Sequence, residues 1–321
     1  MTAERDLVTG AFGNVGRAIA DRLHERGRQV RTLTGHAPAD PGPIDVREYA
    51  FDDPDRLAAA FDGVSTFYNT YWMRLGDDSG YANAVRHCDA LITAAERAGV
   101  ERIVHLSVIK PSVDSPYAYF RGKAQVEARL RRSERPVAVI RPALIFGGDS
   151  VLLTNLAWLL RRMPVFALPG DGQYRVRPVH VDDVARLCVE HGVNGEHGVN
   201  GEHGPHDELG ERGGDAGSMA IVDAVGPERP TFAELVTTVR DAVGGIARIV
   251  KLPPGLVLPA ARTLGAVLRD DLLNRDELLS TMDGLADSDA PTTGRVAVSR
   301  WIREHGATLG RDRVNERSRR Q

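Results

Sequence analysis

The stretch of sequence that decides the fold is Thr9-Gly-Ala-Phe-Gly-Asn-Val-Gly16, near the start of the chain. A short apolar segment, Asp6–Thr9, precedes it, and residues 15–26 carry apolar side chains at helical spacing. The three glycines allow a tight turn, a close approach of the backbone to an anion and close packing of the helix on the strand. Unpaired N–H groups at the start of such a helix suit a pyrophosphate. The stretch therefore predicts a dinucleotide-binding strand, turn and helix.

Strand-like and helix-like segments alternate from this turn to about residue 150. Strands are predicted at 29–33, 48–52, 66–69, 102–106 and 137–140, and helices at 55–61, 81–98 and 117–132. Asp53 and Pro54 are the residue types of a helix N-cap and first helical position. Strands that alternate with helices of this length form a parallel sheet covered on both faces. We predict an α/β fold, with a doubly wound parallel Rossmann-like sheet in residues 1–150.

The alternation weakens after residue 150. A strand-like segment at 174–181 leads into the helix-starting pair Asp182-Asp183. Thr231 and Glu234 have the spacing of a capping box for a helix that runs to Val243. We expect a smaller, mostly helical C-terminal substrate lobe over residues 151–310, interleaved with the sheet domain, and a solvated basic tail at 311–321.

The composition excludes several classes of protein. The 321 residues are 42% hydrophobic and carry a net charge of -3, so no basic surface for nucleic acid is indicated. No segment approaches the ~20 apolar residues of a membrane span, and the charged N-terminus has no apolar signal region. The two cysteines, Cys88 and Cys188, lack metal-ligand spacing and are expected to be reduced. We expect a cytoplasmic protein without an integral membrane span.

A repeated hexapeptide interrupts the second half of the chain. His191-Gly-Val-Asn-Gly-Glu is followed at once by a second copy, and four of the 10 histidines fall between residues 191 and 206. A metal site is one interpretation, but flanking glycines offer no rigid geometry for ligands. We predict no metal site, and we interpret residues 191–217 as a disordered surface insertion.

The choice of dinucleotide depends on the end of the second predicted strand. An acidic residue there binds the ribose hydroxyls of NAD, whereas Thr34-Gly-His36 offers none. NADP is therefore preferred over NAD, with Thr34 and His36 as candidate phosphate contacts. Asp52 is either an adenine contact or an acidic residue at a helix N-terminus, and Asn69 is a further candidate cofactor contact.

A tyrosine and a rare lysine lie four residues apart in the predicted helix 117–132. The sequence has only three lysines, and Lys123 shares a helix face with Tyr119. An ammonium beside a phenol stabilises the phenolate, which makes Tyr119 a candidate acid/base and Lys123 its support. Ser107 follows a predicted strand and is a candidate to hold a substrate oxygen. The alternatives are an exposed Tyr/Lys pair and a serine that only forms a turn.

These features together resemble the short-chain dehydrogenase/reductase superfamily, in its extended and atypical branches. The resemblance rests on the glycine turn, the Ser107/Tyr119/Lys123 set, Arg141-Pro-Ala-Leu-Ile-Phe-Gly147 and Gly170–Ala185. The last two motifs are most similar to the nucleotide-binding accessory subunit of respiratory complex I and to nitrogen-metabolite-repressor-like redox sensors.

The resemblance implies roles for particular residues. It places Gly10, Phe12, Gly13, Asn14, Val15 and Gly16 around the pyrophosphate, and residues from Pro142 to Ile145 near the nicotinamide. It also implies that Ser107 polarises the substrate oxygen, that Tyr119 exchanges its proton and that Lys123 holds the nicotinamide ribose.

Two functions are compatible with the sequence. The first is an NAD(P)-dependent oxidoreductase acting on a small organic substrate, or an epimerase or dehydratase that uses the same transient oxidation. The alternative is a non-catalytic NADP(H)-binding redox sensor or structural accessory protein. The tyrosine and lysine pair favours the enzyme, and the sequence leaves a homodimer open.

Overall fold

A seven-stranded parallel sheet organises the first part of the chain. A computed structural model of the protein describes residues 4–72, 78–193, 217–257 and 275–312. The strands of the sheet are β1 (Arg5–Thr9), β2 (Gln29–Leu33), β3 (Asp45–Arg47), β4 (Val64–Asn69), β5 (Arg102–Leu106), β6 (Val137–Pro142) and β10 (Met219–Ala224). They are arranged in the order β10-β6-β5-β4-β1-β2-β3, and neighbouring strands all run parallel.

Helices cover both faces of this sheet. They are α1 (Asn14–Glu25), α2 (Pro54–Ala59), α3 (Asp78–Arg97), α4 (Ala118–Leu130) and α6 (Val181–Val193). One core joins α3 and α4 to strand residues such as Phe67, Ile103 and Val139. Helix α6 packs against α1 and against β4, β5 and β6. The predicted doubly wound Rossmann-like architecture is confirmed.

The chain divides into two compact units. The first comprises Met1–Pro142 and Val181–Ala224, and the second comprises Ala143–His180 and Val225–Gln321. Helices in the described part of the second unit include α5 (Val151–Arg162), α7 (Phe232–Ala242), α8 (Arg275–Met282) and α9 (Val298–His305). The same described residues form two small parallel sheets, β7 (Ile145–Phe146) with β9 (Val179–His180) and β8 (Val165–Pro169) with β11 (Arg248–Leu252). Helices α5, α7 and α9 share one apolar core.

The third strand differs from the prediction. The predicted strand at 48–52 is not formed, and the pairing with β2 involves Asp45–Arg47 instead. Strand β2 ends at Leu33, opposite Arg47, so residues 48–52 have no partner strand. Tyr49 and Phe51 stack on each other instead, with ring centroids 5.0 Å apart. Asp53 caps α2 as predicted, since its carboxylate accepts a hydrogen bond from the Arg56 N–H at 3.0 Å.

The segment before α6 also differs. The predicted strand at 174–181 is reduced to Val179–His180, because the N–H groups of Val176 and Arg177 donate to loop carbonyls of Pro230 and Ala286. The capping box of Thr231 and Glu234 is present at the start of α7, as predicted.

The predicted disordered insertion begins too early in the sequence. Helix α6 continues to Val193, so His191 and Gly192 are helical. The Gly192 carbonyl accepts a hydrogen bond from the Thr66 hydroxyl at 3.3 Å. Residues 194–216 and the tail from 313 onward lie outside the described residues. Across the described ranges, no helix is long and apolar enough to cross a membrane.

Candidate functional site

The turn between β1 and α1 has the shape of a phosphate cradle. Gly10 has a φ of 64°, a left-handed conformation that favours glycine. Its carbonyl oxygen accepts a hydrogen bond from the Gly13 N–H at 2.8 Å. A Cβ atom added at Gly16 would lie 2.2 Å from that same oxygen, so α1 starts as close to β1 as glycine permits. Glycine is therefore required where the expected pyrophosphate would approach the backbone.

The cradle suits an anion electrostatically. Helix α1 has no acidic residue in its first turn, and Gly13 provides no side-chain cap. The N-terminus of a helix carries a partial positive charge and N–H groups that point outward. The residues predicted around the pyrophosphate, from Gly10 to Gly16, thus fit a dinucleotide.

The ends of β1 and β4 are tied together beside this turn. The Thr70 N–H donates to the Thr9 hydroxyl at 2.8 Å, and the Thr70 hydroxyl donates to the Thr9 carbonyl. Asn69 ends β4 and is fully buried, and its side-chain oxygen accepts from the Tyr71 N–H at 3.1 Å. The predicted cofactor contact Asn69 therefore lies at the carboxyl edge of the sheet, where doubly wound folds bind ligands.

The candidates for the adenosine end occupy two loops. Thr34 follows β2, and its hydroxyl oxygen accepts a hydrogen bond from the N–H of the exposed His36 at 3.2 Å. Asp52 is exposed and follows Phe51, which stacks on His87 with ring centroids 3.8 Å apart. No acidic residue follows β2 directly, as the sequence indicated.

Lys123 is almost completely buried on the inner face of α4. Its side chain is 3% exposed, and its Nζ donates to the carbonyl oxygen of Leu106 at 2.7 Å. The amine also lies 4.2 Å from the centroid of the Trp72 ring, a cation–π arrangement. Burial lowers the pKa of Lys123 to about 8, because the ammonium loses its hydration. The charge of Lys123 therefore changes in the pH range around 8.

Tyr119 lies in an aromatic cluster next to Lys123. Its ring packs edge-on against Trp72 at a centroid distance of 5.8 Å and against Tyr81 at 6.0 Å. Helix α4 approaches Trp72 closely, since a Cβ atom added at Gly122 would lie 3.0 Å from that ring. Trp72 thus contacts both members of the predicted acid/base pair.

Ser107 has a partner that the sequence analysis did not consider. It follows β5 directly and is 2% exposed, and its hydroxyl donates to Glu127 Oε1 at 2.5 Å. Arg141 on β6 donates to the same carboxylate through Nε at 3.0 Å and Nη2 at 2.6 Å. The proton that Ser107 was expected to offer to a substrate oxygen is directed to Glu127 instead.

Two further buried groups face this region from neighbouring elements. Burial, assisted by the Lys123 charge, holds the pKa of His105 well below its usual range, so this histidine of β5 is neutral at physiological pH. Burial raises the pKa of the Cys88 thiol on α3 to about 11. Cys88 is therefore an unreactive thiol rather than a nucleophile.

The structure brings the predicted catalytic residues to one edge of the sheet. Of the predicted nicotinamide contacts, Pro142 ends β6 in the first unit, and Ile145 begins β7 in the second unit.

Trp72 and Glu127 were not predicted as site residues, and Arg141 was noted only as the first residue of a motif. Glu127 had a detectable signal, since Tyr119, Lys123 and Glu127 follow one another at intervals of four and share a helix face.

Comparison with known proteins agrees with this geometry. Residues 10–191, more than half of the chain, match the sequence profile of the family described as NAD(P)H-binding. The chain is 24% identical over 280 residues to NADH dehydrogenase (ubiquinone) 1 alpha subcomplex subunit 9 of Arabidopsis thaliana mitochondria, covering 84% of this chain and 64% of the relative. It is 28% identical to the rat protein of the same name over 56% of this chain and 50% of the relative. The chain thus spans between half and two thirds of these two relatives.

Two solved structures have a similar fold over most of their length. The NADPH-dependent quinone oxidoreductase of Escherichia coli, in complex with NADPH, has a TM-score of 0.70 and 17% identity, covering 94% of this chain and 99% of the other. A nucleoside-diphosphate-sugar epimerase of Staphylococcus aureus has a TM-score of 0.67 and 16% identity, with the same coverage. The profile match, together with the glycine turn and the sheet order, shows that the chain belongs to the NAD(P)H-binding family of atypical short-chain dehydrogenases/reductases.

Proposed function

We propose that the protein is an NAD(P)H-dependent oxidoreductase. It transfers hydride between the nicotinamide and a carbonyl or alcohol carbon of a small organic substrate, and Tyr119 is the general acid/base. The observation that supports this most is the contact of Trp72 with both Tyr119 and the buried amine of Lys123. An epimerase or dehydratase would use the same residues for a transient oxidation.

The proposed proton transfer depends on the charge of Lys123. A phenol has an ordinary pKa of about 10, so Tyr119 needs a nearby positive charge to exchange its proton at neutral pH. Lys123 supplies that charge from the same face of α4, at the carboxyl end of β5. When bound, the nicotinamide supplies the hydride.

Ser107 takes a different part in this proposal from the one expected. A hydroxyl has a single proton, and that of Ser107 is directed to Glu127. We therefore propose that Tyr119 alone donates to the substrate oxygen and that Ser107 offers only acceptor lone pairs.

A second function is favoured by the hydrogen bond from Ser107 to Glu127. A protein that binds NADP(H) without turnover, as a sensor or an accessory protein, needs no serine proton for a substrate oxygen, and a structural role for Ser107 suits it. Two relatives are named as subunits of NADH dehydrogenase, which supports this alternative.

The proposed cofactor is NADP(H) in preference to NAD(H). Support comes from the loop after β2, where the Thr34 hydroxyl and the exposed His36 stand in place of an acidic residue. The proposed compartment is the cytoplasm, which suits the buried free thiols Cys88 and Cys188.

The experiment compares cofactor binding with turnover. NADPH and NADH are titrated by fluorescence into wild type, Tyr119→Phe and the control Tyr117→Phe, which removes a phenol from the N-cap of the same helix. Oxidation of bound NADPH is then followed with a panel of quinones, ketones and aldehydes.

We expect Tyr119→Phe to bind NADPH within about twofold of wild type and to lose turnover by roughly 100-fold or more, whereas Tyr117→Phe keeps both. Tight NADPH binding with no oxidation by wild type on the whole panel would favour the sensor or accessory function. Equal turnover by wild type and Tyr119→Phe would remove Tyr119 from the mechanism.

A further inference from the structure

The buried face of α4 carries two charged side chains one turn apart. Lys123 is 3% exposed and Glu127 is 1% exposed. Charged side chains are almost never fully buried unless they are paired. Residues four apart on a helix are neighbours, so the two groups form one buried polar row.

The two side chains bind consecutive residues of the chain. Lys123 donates to the Leu106 carbonyl at 2.7 Å, and Glu127 accepts from the Ser107 hydroxyl at 2.5 Å. Both partners lie at the carboxyl end of β5. These two hydrogen bonds therefore fix the position of α4 along its own axis and hold the helix against β5.

Arg141 extends the arrangement to the neighbouring strand. Arg141 donates two hydrogen bonds to the Glu127 carboxylate, at 3.0 and 2.6 Å. Together with the bond from Ser107, the carboxylate accepts three hydrogen bonds. A buried carboxylate with this many donors is held in one position. Glu127 thus connects α4 to both β5 and β6.

We propose that Glu127 is a positioning residue of the candidate site, which holds α4 in register with the sheet edge and supplies the negative charge that keeps Lys123 protonated. This inference rests on the proposed function in one respect, that Lys123 serves the bound nicotinamide.

The groups around Lys123 make Glu127 the relevant counter-charge. Cys88 faces it from α3 and neutral His105 from β5, while the Trp72 ring covers it. Burial lowers the pKa of Lys123, and negative charge on Cys88 or Glu127 would raise it. Because burial raises the pKa of the Cys88 thiol to about 11, Cys88 is neutral at pH 7 and Glu127 is the negative charge among these groups. Arg141 pairs with Glu127, and Arg131 Nη2 lies 3.9 Å from the same carboxylate.

The three lysines of the chain allow a direct test. Protein labelled with ¹³C-lysine gives signals from Lys110, Lys123 and Lys251 only, which lysine-to-arginine variants assign. The titration of Lys123 is followed by NMR in wild type and in Glu127→Gln, which keeps the shape and an acceptor for Ser107 but removes the charge. We expect the Lys123 midpoint in Glu127→Gln to fall by about half a pH unit or more, roughly a threefold loss of proton affinity.

A matched control separates charge from packing. Ser107→Ala removes a hydrogen bond to Glu127 but leaves its pair with Arg141, so the Lys123 midpoint should stay within about 0.2 units of wild type. The same midpoint in wild type and Glu127→Gln would overturn the proposal.

A second variant covers the case in which Glu127→Gln does not fold because Arg141 is left unpaired. Glu127→Gln with Arg141→Gln removes both buried charges together, so it is compared with Arg141→Gln, which keeps the Glu127 charge. The Lys123 midpoint should be lower in the double variant than in Arg141→Gln. Equal midpoints in these two variants would equally overturn the proposal. The NMR titration needs no substrate, so it can be interpreted whether or not the protein is an enzyme. If the Lys123 midpoint falls in Glu127→Gln but wild type shows no turnover, the oxidoreductase function is rejected and the positioning role of Glu127 is retained.

Discussion

Burying the charge of Lys123 has a cost to stability. Its pKa falls from 10.5 to about 8 on folding, so its protonated form opposes folding. This penalty is complete below about pH 8 and disappears as the pH rises beyond 10.5. Lys123→Met removes this penalty but also removes the hydrogen bond to Leu106, which contributes roughly 1 kcal/mol. The net effect should be a rise of about 2 kcal/mol in the free energy of unfolding at pH 7. Urea unfolding at pH 7 and pH 10 measures this, and the gain should shrink at pH 10.

Lys251→Met is the matched control at the same scale. Lys251 is exposed on β11, so the substitution should change the unfolding free energy by less than about 0.5 kcal/mol at either pH. A Lys123→Met protein that is less stable than wild type at pH 7 would show that the contacts with Leu106 and Trp72 outweigh the cost of burying the charge.

At the scale of elements, a single added methyl group is enough to disturb the β1–α1 turn. Gly16→Ala places a Cβ atom 2.2 Å from the Gly10 carbonyl oxygen, and the atoms nearest to it all belong to the backbone of Gly10 and Ala11, which leaves little room to relax. We expect a loss of about 2 kcal/mol or more in stability and a loss of NADPH binding, measured by thermal unfolding and fluorescence titration.

Gly255→Ala provides the comparison, because nothing lies within 4 Å of the added Cβ atom. It should leave both readouts unchanged. NADPH binding by Gly16→Ala at wild-type affinity would contradict the assignment of this turn as the phosphate cradle.

A comparison of predicted and observed elements shows which features of the fold can be predicted from sequence patterns. The strands at 29–33 and 102–106 have the predicted bounds, and each ends at a leucine that is followed by a polar residue. Strand β3 was misplaced because its residues are mostly charged and its pairing is set by where β2 ends. The orientation of the Ser107 hydroxyl could not be predicted from the sequence. A glutamate in a helix is usually solvent-exposed, and only the packing of α4 shows that Glu127 is buried against Ser107.

At the scale of the whole molecule, the repeated segment is a natural place for an excision. Helix α6 and β10 flank it, and α6 packs against β10 within the first unit. Replacing residues 195–215 with a short Gly/Ser linker should preserve the melting temperature and NADPH affinity, because loop closure depends weakly on length. Both are measured against wild type.

An excision that begins at residue 192 should lower the melting temperature. It removes the Gly192 carbonyl that accepts the Thr66 hydroxyl bond and a position where any Cβ atom would lie 2.1 Å from the Tyr68 hydroxyl. Equal stability of the two excisions would mean that the last turn of α6 contributes nothing to the first unit.

The alternation of the two units along the chain has a consequence for synthesis on the ribosome. The first unit needs α6 and β10, which are translated only after Ala143–His180 of the second unit. At ~5–20 residues per second, the sheet of β1 to β6 waits several seconds for its last helix and edge strand. During that interval the apolar surface that α6 will cover is open to chaperones. Nascent-chain lengths that end before residue 224 should therefore be protease-sensitive throughout the sheet.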